Sequence, residues 1–467
     1  MLRWLTEQAI ALQLSGAFFL SNARKNSSIL SKLNGGEKNM STKKFFKVFV
    51  SLLVASLLLA ACGSAATEEA AAAEPAVEEA TPAEEVAEPA AEEAASTDFV
   101  FGILMVGVYN NKGWDQAHYD AGLYIEDQIP GTSMIYIDKV NTADRPGTTA
   151  AQLAEELVSK GANLIIFNSD DMKDSATEFA VNHPDVYVIY STGDTEWVEG
   201  ANYQELANMK NIMGRMEYGK MIAGCTAALT SETGKIGFLG PLINEETRRL
   251  AASAYLGAEY CWQNYAGKDP ADLTFEVNWI GFWFNIPGVT SDPSQVTDDF
   301  FNSGYDVVIS GIDTTEALVE AKKFADGGQT VYAIPYDYEG ACEQAPEVCL
   351  GVPYFNWGPS YKEAIQEAID GTWTNSWEWL DPDWTDINNK DTSMIGFKKG
   401  DALSAENSAT IDAFIAELAG GLNLWTGPLN LQDGTEYLAD GEVATDYQIW
   451  YLPQLLEGMI GLSSAAE

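Results

Sequence analysis

The sequence predicts an α/β protein built as two doubly wound, Rossmann-like lobes with a cleft between them. Three observations carry this. From residue 98 short apolar runs alternate with helical segments at a regular spacing, the series occurs twice, and the chain is long enough, at 467 residues of which 46% are hydrophobic, to bury two cores. The first series pairs 99–108 with a helix over 115–128, 133–137 with 148–160, and 163–168 with 174–183, then ends on the run 186–191. The second opens on a helix over 214–229. It continues with strand 235–239, helix 245–262, strand 274–280, helix 293–303, strand 306–310, helix 314–325 and strand 330–335. Strands that alternate with helices at this spacing form parallel sheets with right-handed crossovers. The first lobe is expected over about 98–205 and the second over about 206–340, each completed by part of the C-terminal region. Residues 372–389, rich in Trp and Asp, receive no assignment.

The charge is unevenly spread. The net formal charge is −43; residues 1–61 carry 8 basic and 2 acidic side chains, 63–97 carry 10 Glu and no base, and the remainder is at −39. A body this acidic repels phosphate backbones, which excludes nucleic acid as a partner, and it disfavours phosphorylated metabolites. With two histidines, His118 and His183, and five cysteines without a C-x-x-C pair, a zinc site or a His-dependent triad has little raw material. No metal, cofactor or catalytic residue is expected. Recognition is favoured over reaction.

The N-terminal part reads as a targeting segment. Lys43, Lys44 and Lys47 precede a thirteen-residue apolar run, 48–60, broken only by Ser51 and Ser56 and too short to span a hydrocarbon core that needs about 20. Leu59-Ala60-Ala61-Cys62 then closes the run. That ending resembles a bacterial lipobox, and the resemblance implies a signal peptide over 40–61 and lipidation at Cys62. Residues 1–39 are read as an upstream over-extension, because Met40 stands just ahead of the Lys-rich segment and behind Gly35-Gly36-Glu37-Lys38, whose codons are purine-rich. Residues 62–97, almost wholly Ala, Glu, Pro, Ser and Thr with Pro75, Pro82 and Pro89, are expected to form a flexible acidic tether of roughly 30–35 Å reach.

Ligands of doubly wound sheets bind beyond the carboxyl ends of the strands. There the sequence places Asn111, Trp114, Asp115 and Gln116 after the first strand and Asp170 after the third, with Trp283, Asp313, Asp337 and Trp357 following. Aromatic faces hold a flat ring, and buried carboxylates accept hydrogen bonds from hydroxyl or ring N–H groups, a pairing that suits a nucleoside. Each residue also has a bland reading: a Trp can cap a local core, and Asp115, Asp170 and Asp313 can cap helices. The weight lies in their coincidence at the strand ends of both lobes.

Four stretches, Lys112 through Gly122, Gly214 through Gly224, Gly234-Lys235-Ile236-Gly237, and Gly427-Pro428-Leu429 through Gln432-Asp433-Gly434, resemble the basic membrane protein (BMP) family of substrate-binding lipoproteins, which includes purine-nucleoside receptors of ABC importers. The resemblance implies a type I periplasmic-binding-protein fold with three crossovers between the lobes, and a lipid-anchored extracytoplasmic monomer that delivers its ligand to a permease. It gives Trp114 the position that stacks on the base. Asn111 and Asp115 stand where the family has an acid and an Asn, an exchange of carboxylate and amide that would make Asp115 favour a ligand edge presenting N–H groups. Gln116 follows in the same motif. Asp170 matches a first-lobe polar position, Asp313 and Asp337 match acids near the sugar, and Trp283 and Trp357 align with cleft aromatics. Cys342 and Cys349, seven apart in a Gly- and Pro-containing loop, suit a small disulfide; Cys225 and Cys261 are left open between a bond and two thiols. A ligand sensor and a carboxylate-dependent nucleoside hydrolase are the competing readings.

Overall fold

The structure, a computed structural model, describes residues 98–464. The expected signal segment, Cys62 and the tether lie outside them.

In the first lobe β1 (Phe99–Leu104), α1 (Trp114–Gln128), β2 (Thr132–Ile137), α2 (Ala150–Ser159), β3 (Ala162–Phe167), α3 (Lys173–Asn182) and β4 (Tyr187–Ser191) follow the expected order within a few residues. Next comes β5 (Met209–Gly214), a strand the sequence reading left unassigned, and it pairs in parallel with β4. The first lobe therefore runs to Gly214 rather than ending near 205. The second lobe contains α4 (Met216–Thr230), β6 (Lys235–Gly240), α5 (Glu245–Asn264), β7 (Thr274–Trp279), α6 (Pro293–Asn302), β8 (Val307–Ser310), α7 (Glu316–Asp326) and β9 (Tyr332–Ile334).

The C-terminal third serves both lobes. After β10 (Gly351–Phe355) and α8 (Gly358–Asp370), β11 (Ser376–Leu380) pairs in parallel with β5, so part of 372–389 is an edge strand of the first sheet. Then follow β12 (Ile395–Lys399), α9 (Ala405–Ala419), β13 (Leu429–Asn430), β14 (Glu436–Leu438), α10 (Asp446–Trp450) and β15 (Met459–Ile460), the last paired with β7. The two parallel sheets have the orders β11-β5-β4-β3-β1-β2 and β15-β7-β6-β8-β9. Their central strands, such as β3 (ANLIIF) and β8 (VVIS), are apolar runs because helices cover both faces. Three passages of chain cross between the lobes. One is the step from β5 to α4, and the others run along β10 and β12, which pair antiparallel from Gly351 opposite Lys399 to Phe355 opposite Ile395.

Helix starts are set by local chemistry. Thr149 and Gln152 form a reciprocal capping box on α2, as Asn244 and Thr247 do on α5, while Asp292 with Pro293 opens α6. Helices α4 and α5 approach through glycines: a Cβ at Gly224 would stand 1.8 Å from the Ala254 carbonyl oxygen, and one at Gly257 2.0 Å from that of Met221. Cys225 and Cys261 are joined across this contact, and Cys342 is joined to Cys349. Among the described residues no helix is long and apolar enough to cross a membrane.

Candidate functional site

The strand ends of the two sheets face each other across a narrow cleft between the lobes, with little free space in the closed form. The first lobe contributes Trp114, Ser169, Asp170 and Thr192; the second contributes Lys220, Phe238, Glu246, Trp283, Asp313 and Tyr336. The lobes are closed on it. Gly113 lies so near Asp313 that a Cβ would stand 1.8 Å from the Asp313 carbonyl oxygen, and Asn244 Nδ2 reaches Asp170 Oδ2 at 3.5 Å.

Trp114 opens α1, is 6% exposed, and donates from Nε1 to the Asn168 carbonyl at 2.8 Å. Its ring stands edge-on to Phe355 and Trp357, both with centroids at 5.3 Å, so its orientation is fixed before a ligand arrives. Asp115 is fully buried and does not line the cleft. Its Oδ2 accepts from Gly107 N (3.1 Å) and Asn111 Nδ2 (2.9 Å), and its Oδ1 from Asn168 Nδ2 (2.9 Å). Burial raises its pKa from 3.8 to about 7 against the lowering pull of the Asn168 and Gly107 hydrogen bonds. Asn111 Oδ1 accepts from Gly113 N and Gln116 N, while Gln116 Oε1 accepts from Lys112 N. These three polar side chains therefore build the loop that presents Trp114 instead of facing the cavity.

Asp170 lines the cleft and accepts from Tyr190 OH at 3.1 Å. Trp283 lines it too, and its buried Nε1 has no partner among the described residues. Its carbonyl accepts from Asp313 N at 3.0 Å, which ties two loops of the second lobe together. Asp313 is 4% exposed, and burial followed by the neighbouring Asp337 pushes its pKa well up. Asp337 is fully buried behind the lining, with φ +72° and no hydrogen-bond partner for either carboxylate oxygen among the described residues; burial raises its pKa and Lys220 opposes the rise. Trp357 is also absent from the cleft wall. It is fully buried, stacked on Phe355 at 4.9 Å and on His118 at 4.3 Å, because it follows the crossover strand β10 into the core of the first lobe.

Sequence reasoning missed Lys220, Glu246, Phe238 and Tyr336. Lys220 is fully buried in α4; Nζ donates to the Ser310 carbonyl at 2.8 Å and lies 3.1 Å from the centre of the Tyr336 ring. Burial lowers its pKa from 10.5 to about 7 despite the attraction of Asp337. Glu246, in the first turn of α5, is raised from 4.5 to about 7, chiefly by burial. A lysine amid the small and apolar residues of Gly219-Lys220-Met221-Ile222-Ala223-Gly224 was the available signal, since such a helix has no solvated face for it. Among the described residues no cluster of His, Cys, Asp and Glu is arranged to hold a metal ion. The cavity can therefore offer aromatic faces, carboxylates and one ammonium group.

Residues 99–406 match the Bmp family, described as "ABC transporter substrate-binding protein PnrA-like". A purine-binding protein of Brucella abortus is 27% identical over 351 residues, covering 74% of this chain and 88% of its own. Basic membrane protein B of Borrelia garinii subsp. bavariensis is 23% identical over 242 residues, 50% of this chain and 64% of its own. The crystal structure of an ABC transporter solute-binding protein from Aeropyrum pernix superposes with a TM-score of 0.55 at 12% identity, covering 71% of this chain and 93% of its own, which bears on the fold alone.

Proposed function

The chain belongs to the Bmp family of PnrA-like ABC transporter substrate-binding proteins, and from that premise we propose that it captures a nucleoside, a purine nucleoside before others, and hands it to the permease of an importer. The observation that carries the reading is the pairing of aromatic walls with carboxylates in one closed cleft: Trp114, Trp283, Phe238 and Tyr336 beside Asp170, Glu246 and Asp313. A flat heterocycle finds faces to lie against, and ribose hydroxyls find acceptors. The Brucella relative, named for purine binding, supports the same ligand class. The closed form holds the ligand between both lobes and is the one a permease reads.

Substrate-binding proteins of importers work outside the cytoplasm, and in this reading lipidated Cys62 holds a monomer on the outer face of the membrane. Two disulfides suit such a compartment. The test is a thermal-shift screen of the purified protein against nucleosides, free bases, sugars and amino acids. A nucleoside should raise the melting temperature of the wild type, since it binds only the folded state. Trp114→Ala should abolish the shift and Trp114→Phe keep part of it. Stabilisation by sugars alone would overturn the ligand class. Release of free base during incubation would turn the reading toward a hydrolase.

A further inference from the structure

Trp283 stands in the cleft wall with a hydrogen bond to give and no group to take it. The residue is 8% exposed, and its indole Nε1 makes no hydrogen bond among the described residues. Other tryptophans meet this demand within the chain: Nε1 of Trp114, Trp262 and Trp279 donates to a backbone carbonyl at 2.8–2.9 Å, and that of Trp425 to Ser253 Oγ at 3.2 Å. Of the five buried indole N–H groups left without an acceptor among the described residues, only that of Trp283 belongs to the cleft wall. Asp170, Glu246 and Asp313 line the same cavity, yet none of their carboxylate oxygens accepts from it. An indole N–H donates and never accepts, so its burial is costly unless the occupant of the cleft supplies an acceptor.

The surrounding contacts hold Trp283 beside the loop that presents Trp114. Its carbonyl accepts from Asp313 N at 3.0 Å, and the Asp313 carbonyl lies against Gly113, the residue before Trp114. The next residue, Phe284, packs edge-on to Phe282 with centroids 5.1 Å apart and reaches the first lobe, its Cε1 3.4 Å from where a Cβ on Gly107 would stand. We propose that Trp283 is a specificity-determining residue whose Nε1 donates to an in-plane ring nitrogen of the bound purine. The inference rests on the nucleoside reading and deepens it: Trp114 takes the face of the base, the carboxylates take the hydroxyls, and Trp283 demands an acceptor on the edge of the ring. A ring that presents C–H at that point leaves the indole N–H buried and unpaired in the closed form, and it binds weakly.

The experiment is titration calorimetry of the purified protein with adenosine and with 1-deaza-, 3-deaza- and 7-deazaadenosine, in each of which one ring nitrogen is replaced by C–H. One of the three should bind the wild type at least about tenfold more weakly than adenosine. In Trp283→Phe, which keeps an aromatic wall and has no N–H, adenosine should weaken, and that deaza compound should bind within about twofold of it. Benzothienylalanine at position 283, the sulfur isostere of tryptophan, removes the N–H while keeping the shape of the ring, and it carries the same comparison if the phenylalanine variant does not fold. If adenosine binds and no deaza compound loses affinity, or the loss persists without the N–H, the role of Trp283 is overturned and the nucleoside reading stands. If adenosine itself does not bind, both fall.

Discussion

Gly113 and Asp115 show how closely single residues control the cleft. The Gly113 Cα faces the carbonyl of Asp313 across the interlobe gap. In Gly113→Ala the methyl group blocks the last approach of the lobes without touching either core. Ligand affinity should drop at least about tenfold while the melting temperature of the free protein stays within about 2 °C, measured by calorimetry and thermal denaturation. Asp115 and Glu246 have folded pKa values of about 7 against ordinary values of 3.8 and 4.5. Between those limits the folded state keeps protons that the unfolded state has released, so stability falls as pH rises from about 4.5 to about 7. Lys220 acts in the opposite sense above about 7, where the folded state releases a proton that the unfolded chain holds up to its ordinary 10.5. Melting of the unliganded protein should therefore be higher at pH 5 than at pH 7, and Asp115→Asn should flatten that slope. Trp114, Asp170, Trp283 and Asp313 were legible in the sequence because strand ends are where doubly wound sheets place ligands. Asp115 was misread as a contact because sequence shows that a carboxylate stands beside the cleft, but not that Asn111, Asn168 and Gly107 already occupy it.

Among the elements, helices α4 and α5 carry the cleft's ammonium group and one of its carboxylates on a single rigid pair. Gly224 and Gly257 let the backbones meet, and the Cys225–Cys261 bond closes a loop of 36 residues over that contact. Replacing both cysteines by alanine should cost about 4 kcal/mol by the loop-entropy relation, read from denaturant unfolding with and without reductant. Reductant should destabilise the wild type more than the double variant, in which only the Cys342–Cys349 bond remains to be reduced. The rhythm of strands and helices from β1 to β9 was legible because each element is a parallel-sheet unit with a run of its own. The exception, β5, reads Met-Lys-Asn-Ile-Met-Gly, and its two polar residues broke the apolar pattern. In the strand they are buried: Lys210 pairs with Glu367 and Glu378, and Asn211 accepts from Thr195 and from Glu196 N. The same holds for β11, whose Trp377 stacks on Trp197 at 4.1 Å, a contact between segments far apart in sequence.

At the scale of the whole molecule, the crossovers couple the two lobes through a short antiparallel ribbon, β10 with β12, whose pairing no local pattern announced. Phe355, the last residue of that ribbon, touches Trp114 edge-on, so the ring in the cleft is packed against a strand that joins the lobes. Phe355→Ala should therefore weaken ligand binding although Phe355 lies outside the cleft wall, and the loss should appear mainly as faster dissociation in stopped-flow measurements. A protein in which Trp114 anchors ligand independently of the ribbon would show no such change.

The interleaving of the sheets also sets a timetable. The first sheet lacks its edge strand β11 until the chain has laid down nearly all of the second lobe, and the second sheet lacks β15 until almost the last described residue. Neither lobe is finished when its own first run of chain has emerged. As the chain emerges, the early strands must wait, with edges open, for partners still to come. This waiting makes the nascent chain a natural client for holding chaperones and slows its maturation relative to a protein whose domains follow one another in sequence.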